Sequence, residues 1–199
     1  MLGNSFEIDS FLDDREVQIL LKFSEVLPKT FNDSPDKKAY TTGFPVDKIP
    51  VKNFRSRLEG VFGKCNVTVA MILEEFTPWI VHTDYLLPGD KNPYYAVLIP
   101  LEHDSKDTHT IVFNELGTEE NWREQLIEDK NYNYTANELR LLSHHDENIL
   151  KKLSLGNIHK WEKGKMIAWH RRLLHTSDNF KVADLKQKTA LVLFLNKDD

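Results

Sequence analysis

Residues 66–74 read NVTVAMILE, and this stretch decides the class of the fold. The side chains at 67, 69, 71 and 73 are apolar and alternate with a second set that runs from Thr68 to Glu74. A period of two in a run rich in β-branched residues is typical of a β-strand. The β region is therefore predicted to begin at Asn66.

Five further stretches have strand character, and turn-forming residues such as Lys163-Gly164 separate most of them. They are residues 79–85, 94–101, 108–113, 165–171 and 189–195. Short strands without the regularly alternating helices of a parallel sheet indicate an antiparallel sandwich or jelly roll. We predict a mainly β protein of the α+β type.

Helices are predicted before the β region. Acidic residues follow Phe11-Leu12, and apolar side chains from Val17 to Leu27 recur at helical spacing. A second helix is predicted over 51–62, ended by Gly63.

The domain organisation follows from these patterns. The segment of about 119–155 is highly charged and helical in pattern, with leucines such as Leu139 as predicted packing positions. No linker or repeat suggests a second domain. We predict one domain over 1–199, with a helical N-terminal part (1–65) and a β-barrel core (66–199) that carries the helical insertion.

Composition narrows the functional classes. The formal net charge of -5 disfavours binding to nucleic acid, which depends on Lys and Arg contacts to phosphates. Cys65 is the only cysteine, so neither an intrachain disulfide nor a cysteine-rich zinc site is possible. The N-terminal residues show no signal peptide, and no apolar run is long enough to span a membrane. We predict a cytoplasmic protein without a membrane partner.

His82-Thr83-Asp84 is the first candidate functional cluster. Residues two apart in a strand point to the same face, so an imidazole and a carboxylate would project side by side, as two ligands of one metal require. His175 follows a later turn and apolar strand, and it supplies a third ligand. Two imidazoles and one carboxylate leave open positions that suit a non-haem Fe(II) centre, whereas a closed structural zinc site more usually has four ligands.

Lys188 opens the last predicted strand, on the same face as Ala190 and Val192. A lysine is rarely buried without an anionic partner, so a lysine inside the barrel mouth favours binding of an anion.

These motifs resemble the 2-oxoglutarate and Fe(II)-dependent oxygenase superfamily, in particular its small prolyl-hydroxylase-like bacterial and phage members. The resemblance covers about residues 66–196. It is carried by His82-Thr83-Asp84, by the turn and strand over 161–169, by the segment 174–180 and by Lys188. The order and the spacing agree with the family: His175 lies 91 positions after Asp84, and Lys188 lies 13 positions after His175.

The resemblance implies a double-stranded β-helix with Fe(II) at His82, Asp84 and His175, and with 2-oxoglutarate paired to Lys188. It implies an O2-dependent dioxygenase that hydroxylates an unactivated C–H bond with release of succinate and CO2. Many members have Arg where this chain has Lys188, so Lys186 and Arg172 are alternative partners of the co-substrate. A peptidyl or small-molecule substrate is expected, selected by the loops and the insertion over the barrel mouth.

Two other readings of the same residues stay open. A cupin-like protein, either a divalent-metal hydrolase or isomerase or a binding module without catalysis, would keep the three ligands without needing Lys188. A purely structural jelly-roll protein would need none of them. The remaining histidines are predicted to be solvated or surface residues, apart from His170, which could orient a ligand; they are His103, His109, His144, His145 and His159.

Overall fold

The computed structural model of the chain describes residues 5–34, 37–84, 92–102, 107–117 and 122–198. Within these ranges the chain forms two antiparallel sheets and several short helices. The strands are β1 (Phe6–Ile8), β2 (Thr30–Ser34), β3 (Lys37–Gly43), β4 (Cys65–Glu75), β5 (Pro93–Pro100), β6 (His109–Leu116), β7 (Leu155–Lys160), β8 (Met166–His170), β9 (Leu173–Ser177) and β10 (Lys188–Lys197). The α-helices are α1 (Asp14–Glu25), α2 (Phe54–Phe62), α3 (Trp122–Gln125), α4 (Ala136–Leu141) and α5 (Glu147–Leu150), and 3-10 turns lie at Val46–Lys48 and Phe180–Ala183.

The larger sheet has seven strands in the order β1-β8-β5-β10-β4-β3-β2, and the smaller has three in the order β7-β6-β9. Every described strand pair is antiparallel. The predicted fold class, a mainly β double-stranded β-helix with N-terminal helices and a helical insertion, is confirmed.

Three apolar cores hold these layers together. The core between the two sheets includes Trp161 and Trp169, and it surrounds the candidate site. A second core lies on the outer face of the larger sheet, where α1 and α2 contribute Val17, Leu20 and Leu58. The insertion forms a third core on the outer face of the smaller sheet. The helices and the insertion cover the outer faces of the two sheets. Polar groups of the two sheets therefore meet in the cleft between them.

The apolar strands were the ones that the sequence predicted best. The runs that start at residues 66, 94, 108, 165 and 189 correspond to β4, β5, β6, β8 and β10 with small changes at their ends. The first helix begins after Asp13, whose side chain accepts a hydrogen bond from the Glu16 backbone N–H. The Glu16 side chain accepts one from the Asp13 backbone N–H, which completes a capping box. The second helix ends at Gly63, as predicted.

The N-terminal part differs from the helical segment predicted over 1–65, because it also contains three strands. β1 pairs with β8 at one edge of the larger sheet, and the hairpin of β2 and β3 extends the other edge. β1 is only three residues long, and β2 is exposed along its whole length. In neither strand do buried and exposed side chains alternate as in an amphipathic strand, so pairing with distant strands determines their conformation.

Two predictions near the site also need correction. Residues 79–84 form no regular strand but a loop with one bridge, between His82 and His175, and Tyr85 lies outside the described residues. His175, predicted to follow the strand over 165–171, lies instead in a strand of its own, β9, and β7 after the insertion was not predicted. Leu139 is exposed, although its neighbours Leu141 and Leu142 are buried as predicted.

Gly164 makes the turn before β8 possible. Its φ of +77° is in the left-handed region, and a Cβ atom there would lie 2.2 Å from the carbonyl oxygen of Leu12. The Gly164 carbonyl accepts a hydrogen bond from the Leu12 backbone at 2.9 Å. Only glycine fits this approach, which ties the N-terminal segment to the strand beside the candidate site.

In the described part of the chain, no helix has the length and the apolar character needed to cross a membrane.

Candidate metal centre

The three residues predicted as metal ligands come together in space. One ligand atom from each of His82, Asp84 and His175 lies within 4.8 Å of the other two. Asp84 Oδ2 is 3.2 Å from His175 Nε2, and Asp84 Oδ1 is 3.9 Å from His82 Nε2. Among the described residues, no other group of three or more His, Cys, Asp or Glu side chains shows this arrangement.

A short backbone bridge brings the two imidazoles together. His82 and His175 exchange two N–H···O hydrogen bonds of 3.0 Å each, so the loop over 79–84 joins the edge of β9 at this residue. The ring centroids are 4.2 Å apart. His82 and His175 are thus paired directly although they lie 93 positions apart and residues 79–84 are not a regular strand.

Both imidazoles have the same orientation relative to their own backbone. Nδ1 of His82 lies 2.8 Å from the Ile80 carbonyl oxygen, and Nδ1 of His175 lies 3.0 Å from that of Leu173. A carbonyl can only accept, so each Nδ1 carries a proton, and Nε2 is the ring nitrogen that lies on the side of Asp84. Second contacts of this kind fix the tautomer of a metal-binding histidine.

The ionisation states also suit a metal. Burial, followed by the nearby His175, lowers the pKa of His82 to about 4, so its ring is neutral near pH 7. Burial alone would raise the pKa of Asp84, but His175 and His82 outweigh it and keep that pKa below its ordinary value. Two imidazoles and one carboxylate fit the ligand set of a non-haem Fe(II) centre.

Arg171 positions Asp84, a role that the sequence did not indicate. Its side chain is fully buried, and its Nε and Nη2 donate to the Asp84 carbonyl oxygen at 2.9 and 2.6 Å. Its Nη1 donates to Asn196 Oδ1 at 2.8 Å, and the Arg171 carbonyl accepts from Thr83 and from the Asp84 backbone. The guanidinium therefore holds the backbone that presents the carboxylate.

We expect Arg171→Met to weaken divalent metal binding about 10–100-fold, the usual cost of losing a contact that orients a ligand. Arg171→Lys, which keeps one donor, should lie between this variant and the unchanged protein. Mn(II) titration followed by electron paramagnetic resonance measures the affinity. Arg55→Met, which removes an exposed arginine from α2, is the matched control. A natively folded Arg171→Met protein with unchanged affinity contradicts the assigned role.

The metal centre opens into a cleft between the two sheets. Its walls come from both sheets and are mostly apolar, and they include His82, Asp84, His175, Met71, Leu73, Leu98, Trp161, Trp169, Val192 and Phe194. Polar side chains lie at Glu75, Thr110, Thr176 and Ser177. An apolar cleft with a few polar groups beside a metal centre is the usual form of a small-molecule site.

Lys188 is fully buried next to this cleft, and it already has an anionic partner. Its Nζ lies 3.1 Å from Asp178 Oδ1, donates to the His109 carbonyl oxygen at 2.9 Å, and lies 3.9 Å from the centroid of the Trp161 ring. Burial would raise the pKa of Asp178, but Lys188 and His109 lower it below its ordinary value. Of the two alternative partners, Lys186 is exposed and Arg172 is partly buried beside His170.

Glu75 is a second buried acid that the sequence did not single out. It lies opposite Lys188 in the register of β4 and β10 and is 4% exposed. Its Oε1 accepts from Ser177 Oγ at 2.8 Å and from the Trp79 backbone at 3.1 Å. Burial raises the pKa of Glu75 above its ordinary value, although Lys188 and these hydrogen bonds act in the opposite direction.

This raised pKa predicts a pH-dependent effect of Glu75→Gln. A carboxyl whose folded pKa is raised contributes full stability below its unfolded pKa and loses that contribution as pH rises through the folded pKa. The neutral amide still accepts the two hydrogen bonds. We expect Glu75→Gln to melt at the same temperature as the unchanged protein near pH 4.5 and above it at pH 8.5. For a chain of this length, each kilocalorie per mole is about 2–4 °C in Tm. A difference that shrinks with rising pH would contradict this assignment.

Several histidines that were predicted at the surface are instead buried and hydrogen-bonded. His109 and His159 are buried, the first against Asp178 and the second against Glu7. These predictions were wrong because both partners are distant in sequence. His103 lies outside the described residues. His170 is buried, and its Nδ1 accepts from the Arg172 backbone rather than touching a metal ligand.

His144 and His145 were predicted on a solvated face, but they connect the insertion to the metal centre. Their rings stack with centroids 3.8 Å apart. His144 Nε2 donates to the Trp79 carbonyl at 3.1 Å, and His145 Nε2 lies 2.9 Å from Thr176 Oγ1. Burial and then His144 lower the pKa of His145 to about 3, so it is uncharged at neutral pH.

Comparison with models of known protein families gives no match, and neither does a search of curated proteins. Solved structures are similar. An oxidoreductase of the 2OG-Fe(II) oxygenase family from Burkholderia pseudomallei aligns over 97% of this chain and 85% of its own, with a TM-score of 0.60 and 10% identity.

Two further structures agree with this result. The non-heme alpha ketoglutarate dependent epimerase SnoN from nogalamycin biosynthesis covers 98% of this chain and 78% of its own, with a TM-score of 0.61 and 11% identity. A Pseudomonas putida prolyl-4-hydroxylase covers 98% of this chain and 94% of its own, with a TM-score of 0.56 and 10% identity. The resemblance predicted from the sequence is thus confirmed at the level of the fold: this chain has the double-stranded β-helix fold of the 2OG-Fe(II) oxygenases.

Proposed function

We propose that this protein is an Fe(II)- and 2-oxoglutarate-dependent dioxygenase. The observation that carries the proposal is the His82–Asp84–His175 group, in which two pre-oriented imidazoles and a carboxylate meet at a cleft between the sheets. The shared fold of the oxygenase structures supports it. When bound, the iron would supply the activation of O2 that lets an unactivated C–H bond react.

The protein residues would contribute binding and orientation. His82 Nε2, Asp84 and His175 Nε2 would hold the metal on one side, which leaves positions for a chelating keto acid and O2. Arg171 and the two backbone carbonyls would keep these ligands in place. The apolar walls would exclude water from the reacting C–H bond.

We propose Lys188 as the charge that faces the distal carboxylate of 2-oxoglutarate. It lies directly behind Trp161 and opposite Glu75, and both of these residues line the cleft. Because Asp178 already pairs with Lys188, the co-substrate would share this ammonium with Asp178. Lys188 would therefore serve as a hydrogen-bond donor shared between Asp178 and the co-substrate.

The substrate is proposed to be a small molecule or a peptidyl side chain, hydroxylated with release of succinate and CO2. Similar structures include one of HygX with hygromycin B bound and one of a viral collagen prolyl hydroxylase. The fold therefore occurs in proteins with small-molecule ligands and in a protein named for a peptidyl substrate. The cytoplasmic location and the absence of a nucleic-acid partner stay predictions from composition.

The test is an anaerobic titration of the purified protein with Fe(II) and then 2-oxoglutarate. A chelated keto acid gives a visible charge-transfer band, and the band should be absent from His175→Ala. A control with His103→Ala, a histidine outside the ligand group, should keep it. Metal binding without any band in the unchanged protein would reject the proposal.

The ion pair of Lys188 favours one alternative. A cupin-like hydrolase, isomerase or metal-binding protein needs no free cation beside the cleft, and Asp178 satisfies Lys188 without any ligand. Such a protein would bind divalent metal at the same three residues and show no response to 2-oxoglutarate. The titration above separates the two functions.

A further inference from the structure

Lys37 places a second cation next to Trp79, a residue of the cleft wall. It begins β3 and shares a face of that strand with Ala39, which packs in the core between the sheets. Its side chain is half-buried, and its Nζ lies 3.6 Å from the centroid of the Trp79 ring. Trp79 in turn lines the cleft beside His82.

This ammonium has little compensation of its own. Across the described ranges, Lys37 forms no ion pair, and its direct partner is the face of Trp79. Burial lowers the pKa of Lys37, while the more distant Asp84 and Glu75 raise it in part. Lys188 differs, because a carboxylate, a carbonyl and an aromatic ring already surround its ammonium. Lys37 is thus the cation with capacity for a ligand.

Two buried indole N–H groups beside Lys37 and the metal centre also lack partners. Within the described residues, Nε1 of Trp79 and Nε1 of Trp169 are shielded from solvent and have no hydrogen-bond acceptor. Both tryptophans line the cleft, and the Trp169 ring lies 4.7 Å from that of His175. Buried donors are nearly always satisfied in native proteins, so unpaired donors on residues that line a cleft favour an acceptor in the ligand.

Trp79 is held firmly enough to present its N–H group. Its backbone N–H donates to Glu75, and its carbonyl accepts from Thr176 Oγ1 at 2.6 Å and from His144 at 3.1 Å. Three hydrogen bonds therefore fix the residue from both sheets and from the insertion. A pre-organised donor loses little conformational freedom when a ligand binds.

The charges around the cleft favour an anion. Lys188 and Asp178 neutralise each other, and burial holds Glu75 towards its protonated form. Asp84 would offset only half of the charge of a divalent metal. Lys37 adds to the remaining positive charge, and the unpaired donors of Trp79 and Trp169 point to an oxygen acceptor.

We propose, resting on the function proposed above, that Lys37 Nζ and the indole N–H of Trp79 form a carboxylate-binding subsite beside the metal centre. The carboxylate belongs either to the substrate that is oxidised or to the keto-acid co-substrate, in which case Lys37 takes the role proposed above for Lys188. Lys37 and Trp79 are then residues that select for a ligand with an anionic group.

The first experiment compares two keto acids that differ only in the distal carboxylate, 2-oxoglutarate and 2-oxopentanoate. Their dissociation constants are measured from the charge-transfer band of the anaerobic Fe(II) protein. If the subsite holds the co-substrate, Lys37→Met raises the constant for 2-oxoglutarate about tenfold or more, as expected for loss of a charge-assisted hydrogen bond. The constant for 2-oxopentanoate stays unchanged, and Trp79→Phe, which removes the N–H group with its five-membered ring but keeps an aromatic ring, raises that for 2-oxoglutarate about threefold.

The second experiment tests the other source of the carboxylate. Acetate is titrated into the protein loaded with Fe(II) and 2-oxoglutarate, and binding is followed by NMR line broadening of the acetate signal. If the subsite holds the substrate, Lys37→Met leaves 2-oxoglutarate binding intact but removes acetate binding. The matched control is Lys38→Met, which removes the same charge from the neighbouring exposed position of β3.

The results separate the subsite from the proposed function. If Lys37→Met and Lys38→Met bind both 2-oxoglutarate and acetate as the unchanged protein does, the subsite is rejected. If no band forms in the unchanged protein, the proposed function fails instead, and the acetate titration on the metal-free protein then decides for or against the subsite.

Discussion

Asp84→Ala abolishes metal binding and turnover while the protein stays folded. Asp84 is the one carboxylate of the ligand group, and it lies between His82 and His175. Without it, the ligand group keeps two imidazoles and has no carboxylate of its own to offset the charge of the metal. We expect an affinity loss larger than the roughly 10–100-fold that follows removal of a contact around a ligand.

Thermal unfolding measures this loss without any assay of activity. A ligand that binds only the folded state at 100 times its Kd stabilises it by about 2.7 kcal/mol. Mn(II) should therefore raise the Tm of the unchanged protein by several degrees and leave that of Asp84→Ala where it was. Asp47→Ala, which removes an exposed acid from a 3-10 turn, should respond as the unchanged protein does. A full response in Asp84→Ala would reject the assigned ligand.

Breaking the Lys188–Asp178 pair should have the largest effect on stability. Both side chains are fully buried, so removal of either one leaves an uncompensated charge in the interior. Such changes cost about 3–5 kcal/mol. We expect this loss for Lys188→Met in urea unfolding. Asp178→Asn should come close to it, although His109 also loses an acceptor there.

A double variant separates the charge from the packing. In Lys188→Met with Asp178→Asn, no charge is left unpaired, so the protein should regain a large part of the stability lost in each single variant. Lys186→Met, two positions away and exposed, should be neutral. Additive losses in the double variant would show that the two residues do not act as a pair. Because Lys188→Met is expected to be less stable, its affinity for 2-oxoglutarate should be measured well below its melting temperature.

The sequence predicted those parts of the fold that depend on local pattern. β4 and β10 are long, apolar and rich in β-branched residues, and the stop at Gly63 follows from backbone conformation. β1 to β3 were missed because pairing with distant strands stabilises them. β9 was missed because it is short and contains His175 and Thr176 among its five residues.

The site shows the same division. His82, Asp84 and His175 could be found because their residue types and spacing match the chemistry of a metal centre. Arg171, Glu75 and Lys37 could not, since their roles arise from contacts with chain segments far away in sequence. Lys188 was expected to pair with 2-oxoglutarate, which stays a prediction; the partner that the fold supplies is Asp178, only ten positions earlier.

The loop over 79–84 lies between the cleft and the core that the insertion forms. His82 faces the cleft, while its neighbour Val81 is buried among the apolar side chains of the insertion, including Leu141 and Leu142. His144 adds a hydrogen bond from the insertion to the same segment. The insertion is therefore not an interchangeable module. Exchanging it for another loop, in evolution or by grafting, would reshape the wall from which His82, the first of the three proposed ligands, projects.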